Sequence, residues 1–302
     1  MPHSAQVEPD ANRQPLALAA LLIGAVAVAA SAIFVRVSEL GALPSAFYRP
    51  FLAIPLIWLW LKLRPGATAR VRHRPETLRD TGRLLLAGAL FAGDLAFWHL
   101  SLHHTTVANA TFFANAAPVF VLAADRLLFQ RRIGRTFFIG TALALAGAAC
   151  LAGGSLSVAP ANLVGDGYGI VTAAFLACYL MAIERLRHDF STAAIMLWTS
   201  IGTAAVLLPV AWASGDPMLA DSAYGWVILF ALAGVSHAAG QGLIAFALAH
   251  LPAGMAALGL LTEPVAAAIL AMVILAEPIT GWQTVGGAII LWGIFVARKG
   301  YA

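Results

Sequence analysis

Long apolar runs, broken by brief polar stretches, cover almost all of this sequence. A helix needs roughly 20 apolar residues to cross a bilayer. Ten runs reach that length: 16–37, 45–63, 84–102, 106–128, 134–153, 168–186, 191–213, 224–248, 254–275 and 279–298. Short loops containing Gly, Pro, Ser or charged residues join them. Pro118 and Pro264 each stand near the middle of their run, 146 residues apart. Proline removes a backbone donor and crowds the carbonyl four residues back, which would free the carbonyls of Ala114 and Leu260. The pattern predicts an all-α integral membrane protein of ten transmembrane helices. Composition excludes a soluble domain: 61% of the 302 residues are hydrophobic and 11% charged, against about 45–50% and about 25% in soluble domains.

Charge then sets the orientation. With the N-terminus in the cytoplasm, the inner segments hold 16 of the 18 basic residues, among them Arg13, Arg64, Arg70, Arg72, Arg131, Arg132, Arg185 and Lys299. The outer loops hold none, and Arg36 and Arg49 fall within spans. This positive-inside bias predicts a multi-pass protein of a bacterial-type inner membrane with both termini cytoplasmic. It also explains the net charge of +4 by topology, so no nucleic-acid partner is expected. Residues 1–15 read as a polar cytoplasmic tail. A signal peptide with a cleavage site near Ala25-Val26-Ala27 is the alternative, but only Arg13, against Glu8 and Asp10, precedes the apolar run. Cys150 and Cys178 lie in apolar runs and read as small packing residues.

The chain repeats itself. Residues 87–147 laid on 233–293 without a gap share 13 of 61 positions, including the pairs Gly88–Gly234, His104–His250, Pro118–Pro264, Gly140–Gly286 and Gly147–Gly293. The expected halves are 16–153 and 168–298, with five spans each. An odd number of spans makes the second copy enter the membrane from the opposite side. Inverted repeats of this kind are typical of secondary transporters, whose substrate site lies near the midplane.

The run from Leu261 to Ala297, with mid-span Pro264, the turn Ala276-Glu277-Pro278-Ile279-Thr280 and the glycines of the last span, resembles the C-terminal signature of EamA-type carriers of the drug/metabolite transporter superfamily. The first half resembles the same module more loosely, with Arg131 and Arg132 where the second has Glu277 and Pro278. Within that superfamily the chain looks most like the YddG-type aromatic amino acid exporters. The resemblance implies ten helices in two inverted five-helix halves around a central cavity, and export of amino acids or other small metabolites.

Candidate site residues follow from helical spacing. Phe91, Asp94, Leu95 and Trp98 stand at i, i+3, i+4 and i+7, on one face of span 3. The 146-residue offset maps this face onto His237, Gly240, Gln241 and Ile244 of span 8. Two mixed polar and aromatic stripes facing each other describe a pocket for a flat, amphipathic ligand. An intramembrane carboxylate is a functional candidate by default, which singles out Asp94 and Glu263. Tyr48, Tyr179 and Asn115 complete the set. Each has a structural alternative: an interfacial ring for Trp98, helix capping for Glu263, inter-helix hydrogen bonding for Asn115 and Asn109. Arg49 would attract a substrate carboxylate, snorkel, or pair with Glu39. His99, His103 and His104 read as interfacial and not as a metal cluster. Gly140, Ala144, Ala148, Gly286, Gly287 and Gly293 allow close helix approach, so spans 5 and 10 are expected to pack on each other or on their own half.

A small-molecule exporter is the favoured function, driven without ATP, since no nucleotide loop occurs. The alternative is a proton-coupled drug or metabolite exporter of other specificity. An enzyme is not expected: Gly93-Asp94 lacks a second intramembrane Asp, and Ser155 lacks a base. A channel would want a longer polar path. The expected partners are a small amphipathic substrate and the lipid bilayer. No cofactor or metal is expected, and the protein is expected to be a monomer.

Overall fold

The structure is a computed structural model that describes residues 14–63, 72–131, 133–153, 159–276 and 278–300. Most of the N-terminal tail, Arg64, Arg70, Arg132, Ser155 and Glu277 lie outside the described residues. Among the described residues the regular structure is helical throughout, apart from one isolated bridge between Arg72 and Phe190. The helices are α1 (Gln14–Arg36), α2 (Ala42–Leu63), α3 (Leu78–His104), α4 (Val107–Ala114), α5 (Ala117–Leu127), α6 (Arg135–Ala152), α7 (Leu163–Asp189), α8 (Thr192–Ala213) and α9 (Ala223–Ala231). A π-helical segment, Leu232–Gln241, leads into α10 (Gly242–Ala247), followed by α11 (Ala253–Gly259), α12 (Thr262–Leu275) and α13 (Gly281–Arg298).

Side-chain caps start several of them. Thr77 accepts from Asp80 N–H at 3.1 Å, Ser191 from Ala194 N–H at 3.2 Å, and Ser222 from Gly225 N–H at 3.0 Å. Thr280 and Gln283 cap α13 reciprocally, which satisfies two backbone donors that no intrahelical carbonyl reaches.

Among the described residues, eight helical segments are long and apolar enough to cross a membrane. Two of the ten sequence runs fall short of that measure. Run 106–128 divides into α4 and α5, and α13 is diluted by Gln283, Thr284 and Arg298. The runs that hold Pro118 and Pro264 break just before the proline, whereas α2 continues through Pro50 and Pro55 and α8 through Pro209. At the first break Ala116 N–H reaches Phe113 carbonyl at 3.0 Å, and at the second Leu261 N–H reaches Leu258 carbonyl at 3.1 Å. These are i→i−3 bonds, the tightened turn that closes a helix end. Leu260 carbonyl is not freed as expected: it accepts from Glu263 N–H at 2.8 Å.

The main core joins α1, α2, α3, α7, α8 and the α9–α10 unit. A second core lies where α5 and α11 meet the α6–α13 pair. That pair crosses closely at four glycines. A Cβ at Gly140 would lie 2.5 Å from Gly293 carbonyl, and one at Gly293 would lie 2.7 Å from Gly140 carbonyl. The 146-residue offset carries this contact onto its neighbour, where a Cβ at Gly147 would lie 2.8 Å from Gly286 carbonyl and one at Gly286 2.7 Å from Gly147 carbonyl. Of the two packing partners expected for these spans, the structure selects each other. Cys178 is exposed on the outer surface of the bundle and does not pack inside it.

Two sets of polar contacts tie opposite ends of the bundle. At the basic end, Arg72 pairs with Asp80 at 2.6 Å and exchanges backbone hydrogen bonds with Asp189 and Ser191. Arg83 pairs with Asp189 at 2.9 Å, and Arg131 with both Asp125 (3.2 Å) and Glu184 (3.1 Å). At the other end, Glu39 accepts from Asp221 N–H (3.0 Å), Ser222 N–H (3.1 Å) and the Ser222 hydroxyl. Those bonds, led by the Ser222 hydroxyl, hold the Glu39 carboxyl below the usual carboxylate range.

Candidate functional site

Arg49 lies just inside one end of α2, and its inward turn defines the centre of the molecule. It is 7% exposed, and its Nε and Nη2 are buried with no hydrogen-bond partner among the described residues. Glu39, a partner that the sequence allowed, is taken by Ser222 and Asp221. The guanidinium instead lies in electrostatic range of Glu263 and, less strongly, of Asp94 and Tyr179. A buried guanidinium with unused donors is costly, several kcal/mol by order of magnitude, unless an anion answers it.

Phe91 of α3 is the hub of the surrounding rings. Tyr179 of α7 stacks on it with centroids 4.8 Å apart and planes at 27°. The His237 ring lies at 5.9 Å, and the Arg49 guanidinium sits over the Phe91 face at 5.8 Å. Phe91, Tyr179 and His237 are 3%, 2% and 2% exposed. Asp94 follows one turn along α3 from Phe91 and is also buried. Glu263 stands in the first turn of α12, directly after the helix break. The break thus brings a carboxylate and a helix N-terminus to mid-span together.

His237 sits on the π-helical segment. Such segments are rare and cluster at functional sites, because they interrupt the regular bond ladder. Its Nε2 is 2.9 Å from Ser200 Oγ of α8. Its Nδ1, and the hydroxyl of neighbouring Ser236, are buried without a hydrogen-bond partner among the described residues. The segment also passes close to α1: a Cβ at Gly24 would lie 2.9 Å from Gly240 carbonyl.

The structure thus gathers five of the nine candidate residues, Phe91, Asp94, Tyr179, His237 and Glu263, around Arg49. Gln241 is buried at the end of the π-helical segment. The other three serve elsewhere. Tyr48 points the other way from its neighbour Arg49 and packs edge-on against Trp226 of α9 at 5.6 Å. Trp98 is half-buried against the His99 ring, centroids 5.1 Å apart. Asn115 caps its own helix, donating to Thr111 carbonyl at 2.8 Å. Asn109 joins α4 to α7 by donating to Asp166 at 2.9 Å. His99 is buried, with Nδ1 2.6 Å from Leu95 carbonyl. Ser200 and Ser236 were not singled out from the sequence, where nothing distinguishes them from other span serines. Arg49 was visible as an intramembrane cation, but its inward turn was not.

Phe91, Tyr179 and His237 pack against one another and are buried at the heart of this cluster. Two surface concavities, of about 430 and 410 Å³, lie elsewhere, beside Trp212 and between α5 and α6. The arrangement can answer a carboxylate with Arg49, a cation with Asp94 or Glu263, and a flat ring with Phe91 and Tyr179.

Comparison with known proteins bears on what such a site does. Two proteins described as uncharacterized transporters, from Helicobacter pylori strains J99 and 26695, are each 22% identical to this chain over 74% of both lengths. A solved crystal structure superimposes with a TM-score of 0.79, covering 95% of this chain and 97% of that one at 16% identity, which establishes the shared fold. The profile of the EamA-like transporter family matches twice, over residues 15–153 and 163–298. The chain is a multi-pass membrane protein that belongs to the EamA-like transporter family.

Proposed function

We propose that this transporter exports small amphipathic metabolites, aromatic amino acids foremost, as a secondary carrier working by alternating access. The observation that carries the reading is the buried Arg49, with two unpaired nitrogens, beside the Phe91–Tyr179 stack and two carboxylates. An aromatic amino acid has a complement for each part. Its carboxylate answers Arg49 through charge-assisted hydrogen bonds. Its ammonium group is attracted by Asp94 and Glu263, and its ring by the aromatic faces. On this reading, Phe91, Tyr179 and His237 buried between two tied ends of the bundle make the occluded state of the carrier.

The same reading places residues 16–153 and 168–298 as inverted five-helix halves, with ten spans in total. The second broken run (α11–α12) echoes the first (α4–α5), and the reciprocal α6–α13 glycine contacts support that symmetry. The basic end then faces the cytoplasm of a bacterial-type inner membrane, and a single copy suffices.

The test is uptake of radiolabelled phenylalanine, tryptophan and leucine into liposomes holding the purified protein, with and without a pH gradient. Selective aromatic uptake without a gradient supports a facilitator. Aromatic uptake only with the gradient supports proton coupling through Asp94 or Glu263. Absence of amino acid uptake in both conditions overturns the substrate assignment and leaves other metabolites or lipophilic drugs as the next class.

A further inference from the structure

We infer that His237 selects substrates whose ring carries an N–H or O–H donor, a choice within the aromatic amino acids that rests on the proposed function. Ser200 Oγ lies 2.6 Å from Met196 carbonyl and 2.9 Å from His237 Nε2. A hydroxyl has one hydrogen to give, and a carbonyl only accepts. The Ser200 hydrogen therefore goes to Met196, and the Ser200 lone pair accepts from His237 Nε2–H. The ring is 2% exposed, and burying a charged imidazolium costs far more than burying the neutral imidazole, so the ring is taken as neutral. With its hydrogen on Nε2, Nδ1 is a bare acceptor.

Nδ1 is buried and meets no donor among the described residues. It belongs to a ring 5.9 Å from Phe91, the residue on which Tyr179 also stacks. The cluster thus leaves donors unsatisfied at Arg49 and an acceptor unsatisfied at His237. The matching ligand presents an anionic group at one end and a hydrogen-bond donor on its aromatic ring. An indole N–H or a phenol O–H fits; a plain phenyl ring leaves Nδ1 unpaired. A site built to hydrogen-bond a substrate group discriminates against analogues that lack it.

Isosteric pairs test this in proteoliposomes. Inhibition of tryptophan counterflow is compared for tryptophan and its benzothiophene isostere, in which sulfur replaces the N–H. Tyrosine is compared with phenylalanine in the same way. In the wild type the donor-bearing member of each pair is expected to inhibit on the order of tenfold more strongly. In His237→Phe and in Ser200→Ala, where the tautomer is no longer fixed, the ratio falls toward one. The ratio is taken within each preparation, so it does not depend on how much protein is active. If His237→Phe fails to fold, Ser200→Ala and the wild-type pairs carry the test. A wild-type ratio of one, or an undiminished ratio in both variants, overturns the inference while leaving aromatic transport standing. A wild type that transports no aromatic amino acid, phenylalanine included, overturns the proposed function itself and the inference with it.

Discussion

Arg49 is the residue on which the chemistry of the centre turns. Hydrogen bonds to charged groups contribute about 1.5–3 kcal/mol each, so Arg49→Gln is expected to weaken a carboxylate-bearing substrate by roughly tenfold or more. It should affect the corresponding amine, which lacks the carboxylate, far less. Competition by the amino acid and by its amine, measured side by side, checks this, and equal losses would place Arg49 outside the binding site. Asp94→Asn is expected to alter transport or its pH dependence; wild-type kinetics at every pH would remove Asp94 from the mechanism. Trp98 packs on His99 outside the ring cluster, so Trp98→Ala should lower thermal stability while affecting aromatic and aliphatic substrates alike. Phe91, Asp94 and His237 were legible in the sequence because helical spacing and the 146-residue offset both pointed at them. Ser200 was not, because its role depends on α8 lying against the π-helical segment, and no local pattern records that. Tyr48 packs on Trp226 for the complementary reason: it adjoins Arg49 in sequence, but successive helical residues point in different directions.

At the scale of elements, ten apolar runs were read from the sequence, and eight helical segments among the described residues are long and apolar enough to cross a membrane. Pro118 and Pro264 mark helix breaks, the second of which delivers Glu263 to mid-span, while α2 and α8 run through their prolines. The π-helical segment was hidden, because an apolar run read with a period of 3.6 residues gives the same pattern whether or not one turn is widened. The glycine crossing of α6 and α13 was legible as small residues at helical spacing, while the choice of partner required the fold. Bulky side chains there would strike backbone atoms, which cannot move aside as a side-chain tip can. Gly140→Leu combined with Gly286→Leu is therefore expected to reduce the yield of monodisperse protein sharply, as read by size-exclusion chromatography. Full yield and unchanged melting would refute the close crossing.

Over the whole molecule, the two ends are held by different chemistry. The basic end relies on ion pairs, and the opposite end on hydrogen bonds to Glu39. The Glu39 carboxyl is held below its ordinary range by Ser222. A depressed carboxyl contributes stability that is fully present above its unfolded value and is lost as pH falls through its folded value. Acidification should therefore loosen that end, an effect absent in Glu39→Gln and measurable as reduced protection of the Ser222 and Gly225 amides in hydrogen exchange. Protection of those amides that does not change on acidification would contradict it. The α6–α13 contact behaves differently from both ends. Because the 146-residue offset carries it onto itself, a carrier that exchanges the conformations of its two halves has no need to remake it. It can serve as a pivot about which the rest turns. A covalent tether across α6 and α13 should then leave turnover intact, whereas one replacing the Arg131–Glu184 pair should lock the carrier facing a single side.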